Sequence, residues 1–294
     1  MKITLFRDNF ASAMRLVKEA IPSRSTLPIL ANVRITTTDS GIRMTGTNLE
    51  LTIVASLGAA ITQPEDVTLP AETLSNLLEK FSDEQVFLEL VDAKTHTIRL
   101  TSGKNIFNVK GLPPQDFPSI PSIVSEGGLS LNAAHFRESV TAILDCAADE
   151  EAARPIFAGV LFSFKPDSLV LAAADGFRLG SSGFPMAVPE SWQGKQVIVA
   201  AKSLRKVVKT IGESETLTLT LPDADDRRIQ FALPNLEITV QLIEGTYPDY
   251  KGIVPKAHTT RAVFDTAHLL HAAKTAALLT QQGNFTFTPG APGH

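Results

Sequence analysis

Catalysis needs a nucleophile, an acid and base pair, or a metal cluster. The side chains here that could supply one are few: a single cysteine, six histidines and one dense run of carboxylates. Cys146 falls beside Val140, Ile143, Leu144 and Ala147, an apolar stripe at helical spacing, which predicts a buried, inert thiol rather than an activated one. His96, His135, His258, His268, His271 and His294 show no zinc-type spacing with cysteine or carboxylate support. His268 and His271 are three apart in Ala-rich sequence and read as helix surface. Asp145, Asp149, Glu150 and Glu151 read as a solvated helix end and loop. There is no phosphate-cradling Gly-Lys-Thr loop and no dinucleotide fingerprint. The expectation is a protein without catalytic residues, metal ligands or cofactor.

The elements that carry these residues belong to a chain of 294 residues with 44% hydrophobic content, long enough for two full domains and part of another. A net charge of −4 argues against wholesale coating of nucleic acid and leaves room for a local basic face. One cysteine excludes an internal disulfide and suits a reducing cytosol. The opening MKITLFRDNF is charged and lacks the apolar core of a signal peptide. No apolar run approaches the roughly 18 residues of a membrane-spanning helix, so a cytoplasmic protein is expected, with no membrane partner.

The chain repeats itself. Phe10, Met14, Val17 and Ile21 recur at helical spacing, and so do Phe136, Val140, Ile143, Leu144 and Ala147, about 126 residues later. A second helix is expected from the stripe Leu74, Leu77, Leu78 and Phe81, and its counterpart from Leu204, Val207, Val208 and Ile211, an offset of about 130. The strand-like segments Ile42–Thr47 and Leu169–Ala174 correspond, and Thr97–Leu100 followed by Ile106–Val109 reads as a hairpin. Each unit closes on an aromatic-Pro pair, Phe117-Pro118 and Tyr247-Pro248, which forces an extended exit. A third unit begins at Val263-Phe264-Asp265 with Leu269, Leu270, Ala273, Ala276 and Ala277, and the Pro- and Gly-rich tail from Thr280 to His294 is expected to be disordered. A complete third unit needs roughly 120 residues after Pro255, so the stop at His294 reads as a truncation.

Three strings within this repeat are distinctive: Ser25-Thr26-Leu27-Pro28-Ile29-Leu30-Ala31-Asn32 with Thr45-Gly46-Thr47-Asn48-Leu49-Glu50, then Ala174-Asp175-Gly176-Phe177-Arg178-Leu179, then Glu244-Gly245-Thr246-Tyr247-Pro248-Asp249-Tyr250. In order and spacing they resemble the bacterial DNA sliding clamp, the beta subunit of DNA polymerase III, from Met1 to about Leu279. The resemblance implies an α+β fold of DNA-clamp type, a pseudo-symmetric ring segment of repeated domains, each with two helices packed on antiparallel β-sheet. It implies an N-terminal domain over 1–122, a central domain over 128–255 and the start of a C-terminal domain over 258–294. The function implied is a processivity factor that encircles duplex DNA without catalysis. Its implied partners are the replicative polymerase and the clamp loader, held through a short peptide motif, and a second subunit. The family's subunits pair head to tail through the first and third domains, so this chain as written is expected to be monomeric or weakly associated.

A sliding contact calls for phosphate-directed charge on hole-facing helices. The helical wheel selects Arg15 and Lys18 on the first helix, Lys202, Arg205, Lys206 and Lys209 on the fourth, and Lys274 on the third-unit helix. The resemblance adds Arg24, on a loop near the hole. Glu138, Thr141, Asp145, Asn76 and Glu79 occupy comparable outward positions, so weak and salt-dependent affinity is expected. Carried over from the family, the partner-peptide pocket comprises Phe157, Ala174, Gly176, Phe177, Arg178, Leu179, Pro248 and Ile253, with Leu179, Pro248 and Ile253 as an apolar floor. Phe177 and Gly252 depart from the family's commoner choices. The alternative reading is a clamp-like adaptor that binds client peptides or clamp subunits without closing a ring on DNA.

Overall fold

The computed structural model describes residues 1–120, 127–149, 154–211, 216–221, 227–255 and 257–279. In the first repeat, β1 (Lys2–Phe6) runs directly into α1 (Arg7–Lys18). Then come β2 (Asn32–Thr38), β3 (Gly41–Thr47), β4 (Leu51–Leu57), β5 (Ala60–Gln63) and β6 (Val67–Pro70), the helix α2 (Ala71–Lys80), and β7 (Gln85–Asp92), β8 (Thr97–Ser102) and β9 (Asn105–Lys110). The second repeat follows the same order without a β5 equivalent: β10 (Leu129–Asn132), α3 (Ala133–Leu144), β11 (Gly159–Lys165), β12 (Ser168–Ala174), β13 (Leu179–Pro185), β14 (Gln196–Ala200), α4 (Ala201–Ile211), β15 (Thr216–Thr220), β16 (Arg228–Leu233) and β17 (Leu236–Ile243).

The apolar periods explain the elements. Phe10, Ala13, Met14 and Val17 of α1 are buried at one-turn intervals, as are Leu204, Val207 and Ile211 of α4. In β1 the burial alternates instead, Ile3 and Leu5 in and Lys2 and Phe6 out. Ile21 and Ala147, expected on the helical stripes, lie past the ends of α1 and α3 and still pack on the core. Helix α1 approaches β3 closely at Gly46, where a Cβ would sit 2.7 Å from Val17 Cγ1 and 2.8 Å from its carbonyl oxygen. Only glycine admits that contact.

The strands are all antiparallel. One five-stranded sheet runs β5-β1-β7-β8-β9. The other crosses from repeat to repeat, in the order β13-β12-β11-β14-β17-β4-β3-β2-β6, because β17 of the second repeat pairs with β4 of the first. Leu236 faces Ala55, Ile238 faces Ile53 and Val240 faces Leu51 across that junction. Arg43 Nη2 reinforces it with contacts of 3.1 and 3.0 Å to the two carboxylate oxygens of Glu237. One continuous core therefore runs from Ile3 and Phe10 through Phe136 and Phe231 to Val240, and Met1–Pro248 forms one unit. Burial of each fully enclosed Phe or Leu in it contributes about 1.5 to 3 kcal/mol.

Asp249–His294 forms the second unit. Its helix α5 (Thr266–Ala277) is capped by Asp265, whose Oδ1 accepts the His268 N–H at 2.9 Å. Val263, Phe264 and Leu270 are exposed. The tail from Thr280 to His294, with Glu150 and Glu151, lies outside the described residues. No helix among the described residues is long and apolar enough to cross a membrane.

Candidate nucleic-acid interface

Helix α4 starts where β14 ends, and its period puts Ala201, Leu204, Val207 and Ile211 into the core. Lys202, Arg205, Lys206 and Lys209 are thereby left on the opposite face. On α1 the same logic leaves Arg15 exposed and Lys18 half-buried, and Arg24 follows on the loop beyond. The fold brings the two helices side by side. Arg15, Lys18, Arg24, Lys202, Lys206 and Lys209 all line a single open cleft of about 770 Å³, together with Glu19, Asn48, Ser75 and Glu79. Six cations against two carboxylates make it a positive surface, and one with no deep apolar pocket for a small substrate.

One predicted cation of α4 stands elsewhere. The Arg205 guanidinium turns toward α3, where Nη1 reaches Asp145 Oδ1 at 3.0 Å and Nη2 reaches the Leu144 carbonyl oxygen at 3.0 Å. It holds the end of α3, and the Asp145 carboxylate is its partner rather than a purely solvated charge. Lys274 is exposed in the last turn of α5, in the second unit.

The predicted peptide-pocket residues of the first unit gather around the β12–β13 hairpin. Ala174 ends β12, its N–H donating to the Tyr247 hydroxyl at 2.8 Å, and the Tyr247 ring meets Phe157 edge-on at 6.1 Å. Gly176, at φ +93°, occupies the first central position of the two-residue turn, a conformation that favours glycine. Phe177 at the tip is 98% exposed. Leu179 and Phe157 are half-buried, whereas Pro248 is exposed and the buried aromatic beneath the strap is Tyr247. Ile253 belongs to the second unit, in the turn Lys251–Ile253.

No group of three or more histidine, cysteine or carboxylate side chains that could hold a metal ion occurs among the described residues. Cys146 is half-buried just past α3, against Gly180. Residues 1–121 match the family profile "DNA polymerase III beta subunit, N-terminal domain", and residues 130–249 match "DNA polymerase III beta subunit, central domain". The chain belongs to the DNA polymerase III beta subunit family. The beta sliding clamp of Synechocystis sp. is 28% identical over 100% of this chain and 80% of its own length. That of Bacillus subtilis is 25% identical over 96% of this chain and 75% of its own length. The solved beta chain from Streptococcus pneumoniae superimposes with a TM-score of 0.88 at 26% identity, over 96% of this chain and 76% of the other. The solved Bacillus subtilis clamp does so with a TM-score of 0.89 at 24% identity, over 97% and 75%.

In this member of the beta subunit family, three side chains that sequence reasoning does not single out hold the candidate sites together. Glu19 receives both Lys206 and Lys209. Tyr247 reads in the sequence as a closing aromatic, and its buried hydroxyl is what ties the chain's exit to β12. Asp175 builds the hairpin turn, accepting the backbone N–H groups of Phe177 at 2.8 Å and Arg178 at 2.7 Å on one oxygen and the Arg178 guanidinium on the other. The Asp-Gly dipeptide is the available signal for it.

Asp175 also gives the hairpin an acid limit. Partial burial opposes its charge, but the Arg178 and Phe177 N–H groups and the Arg178 guanidinium outweigh burial and lower its pKa to about 2. The folded state thus holds this proton less tightly than the unfolded chain, so the stabilisation is complete above about pH 4 and is lost as pH falls toward 2. Asp175→Asn is expected to cost on the order of 1 kcal/mol at neutral pH and to converge with the parent in acid. Urea unfolding of both proteins across that range measures it, and a difference independent of pH would refute the assignment.

Proposed function

We propose that this chain is a sliding clamp of bacterial DNA replication, a non-catalytic processivity factor that surrounds duplex DNA and tethers the replicative polymerase. The observation that carries the reading is the alignment of six cationic side chains from α1, its following loop and α4 along one cleft. Lysine and arginine there meet phosphates, whose spacing is the same in any sequence, so the contact holds DNA without fixing a position on it. Bacterial duplex DNA lies in the cytoplasm, and the proposal places the chain there.

The strand pairing supports encirclement. β4 in the first repeat corresponds in order to β13 in the second, and β9 corresponds to β17. Where the repeats meet, a β4-type edge pairs with a β9-type strand. Among the described residues β9 pairs only with β8, and β13 only with β12, so one edge of each type remains. A unit with complementary edges at its two ends adds head to tail. Ile106 and Phe107 on β9 are exposed, an apolar edge that a partner strand would cover. We assign 1–122 and 128–255 as the first and central clamp domains, 258–294 as the opening of a third, and the β9 and β13 edges as the sites of further repeats and of a second subunit. Clients and the loader would insert a short apolar peptide beside Phe157, Leu179 and Tyr247.

The test is retention on nicked circular DNA, loaded by the loader from the same cell, before and after linearisation, with the assembly's mass measured by light scattering. Retention on circles that disappears on linearisation is the expected result. Equal retention on both forms refutes encirclement, and client-peptide binding without topological retention would favour the adaptor.

A further inference from the structure

Three lysines of the cleft, Lys18, Lys206 and Lys209, already hold carboxyl or carbonyl oxygens of the same chain. Lys209 Nζ lies 2.5 Å from Glu19 Oε1, and Lys206 Nζ donates to the Glu19 carbonyl oxygen at 2.6 Å. Lys18 Nζ lies 2.7 Å from Glu72 Oε2. Glu19 sits at the C-cap of α1, where the helix dipole is negative, so both its carboxylate and its backbone carbonyl attract α4 lysines. A hydrogen bond and the charge of Lys18 lower the pKa of Glu72, so it stays ionised at neutral pH.

We infer that Glu19 and Glu72 are internal counter-ions of the DNA-facing cleft, which phosphate oxygens must displace from Lys209 and Lys18 before DNA can be held. The inference rests on the reading of the cleft as the DNA-facing surface. Exposed pairs of this kind are weak enough to be exchanged. Each phosphate contact then replaces one anion by another, so the net gain per contact is small and a lysine can pass from phosphate to carboxylate to the next phosphate. A bare basic cleft would grip harder and move less readily. Glu19 also bridges the two repeats at this seam, and Lys206 on its backbone carbonyl preserves part of that bridge when the carboxylate is removed.

Glu19→Gln and Glu72→Gln in the full chain test this, with fluorescence anisotropy on a short labelled duplex from about 50 to about 200 mM salt. Each variant is expected to bind roughly two- to fivefold tighter at the low end, and the pair about tenfold. The slope of log affinity on log salt should steepen, by at most about 0.9 for each lysine released, because a displaced carboxylate recruits a cation that a glutamine does not. Glu237→Gln, which breaks the Arg43 pair on the sheet, removes the same charge outside the cleft and should leave both quantities unchanged. Thermal melting of all variants checks the fold, and Glu72→Gln stands independently of the seam between repeats. If Lys209→Ala weakens binding while neither glutamate variant alters affinity or slope, the counter-ion role is refuted and the cleft reading stands. If Lys206→Ala and Lys209→Ala also leave binding unchanged, the cleft is not the DNA-facing surface and both readings fall.

Discussion

Replacing Lys202, Lys206 and Lys209 together by alanine is expected to lower affinity for duplex DNA about 10- to 100-fold near 100 mM salt, with a salt dependence shallower by about 0.9 for each phosphate no longer neutralised. The three side chains lie one turn apart along α4 and line the same cleft as Arg15, Lys18 and Arg24. Their removal leaves the buried Leu204, Val207 and Ile211 untouched, and alanine favours the helix. Arg205→Ala is the informative contrast. It removes the same charge from the same helix, but Arg205 does not line the cleft, its guanidinium turning instead toward Asp145 and the Leu144 carbonyl. Its removal should therefore reduce DNA affinity less than about twofold while loosening the end of α3 slightly. Equal effects from Arg205→Ala and each single lysine variant, read by anisotropy titration, would mean that diffuse charge rather than the cleft carries binding.

Phe136→Ala is expected to destabilise the first unit by about 3 to 5 kcal/mol, a large share of the roughly 5 to 15 kcal/mol that holds a native protein together. The ring is fully buried on α3, 6.3 Å from the Phe162 ring on β11 and 5.5 Å from the Phe231 ring on β16. It joins a helix to strands far apart in the chain, and alanine leaves a cavity that neither rigid neighbour can fill. Urea unfolding followed by circular dichroism should show a lower midpoint with an unchanged slope. Phe177→Ala, at the 98% exposed hairpin tip, should fall within about 0.5 kcal/mol of the parent. A loss below about 1 kcal/mol at Phe136 would mean the packing around α3 closes over the gap.

The apolar periods determined a great deal. They located the four helices described in the two repeats and the strands β3, β8, β9 and β12, because a buried face must recur at 3.6 or 2 residues whatever it packs against. Lys202, Lys206 and Lys209 could be assigned to a polar face of α4 for the same reason: the rest of its circumference is filled by Leu204, Val207 and Ile211. Where local pattern was the cause, as in the Asp175-Gly176 turn or the Asp265 cap, the reason was equally present in the sequence. The family strings added the Arg24 loop, which no periodicity marks. Relations between segments distant in the chain were decided only by the tertiary structure. Arg205 belongs to the same polar face as Lys206 and Lys209, yet the position of α3 takes it to Asp145. Glu19 reads as an ordinary helix-end carboxylate until α4 is placed beside α1, 187 residues away in sequence. The junction of β17 with β4 is likewise invisible in either strand, since an antiparallel edge satisfies its backbone groups with any partner of suitable pattern. Pattern says which side of an element is buried or charged, while the choice of partner, and with it the cleft, is made by the packing of the whole chain.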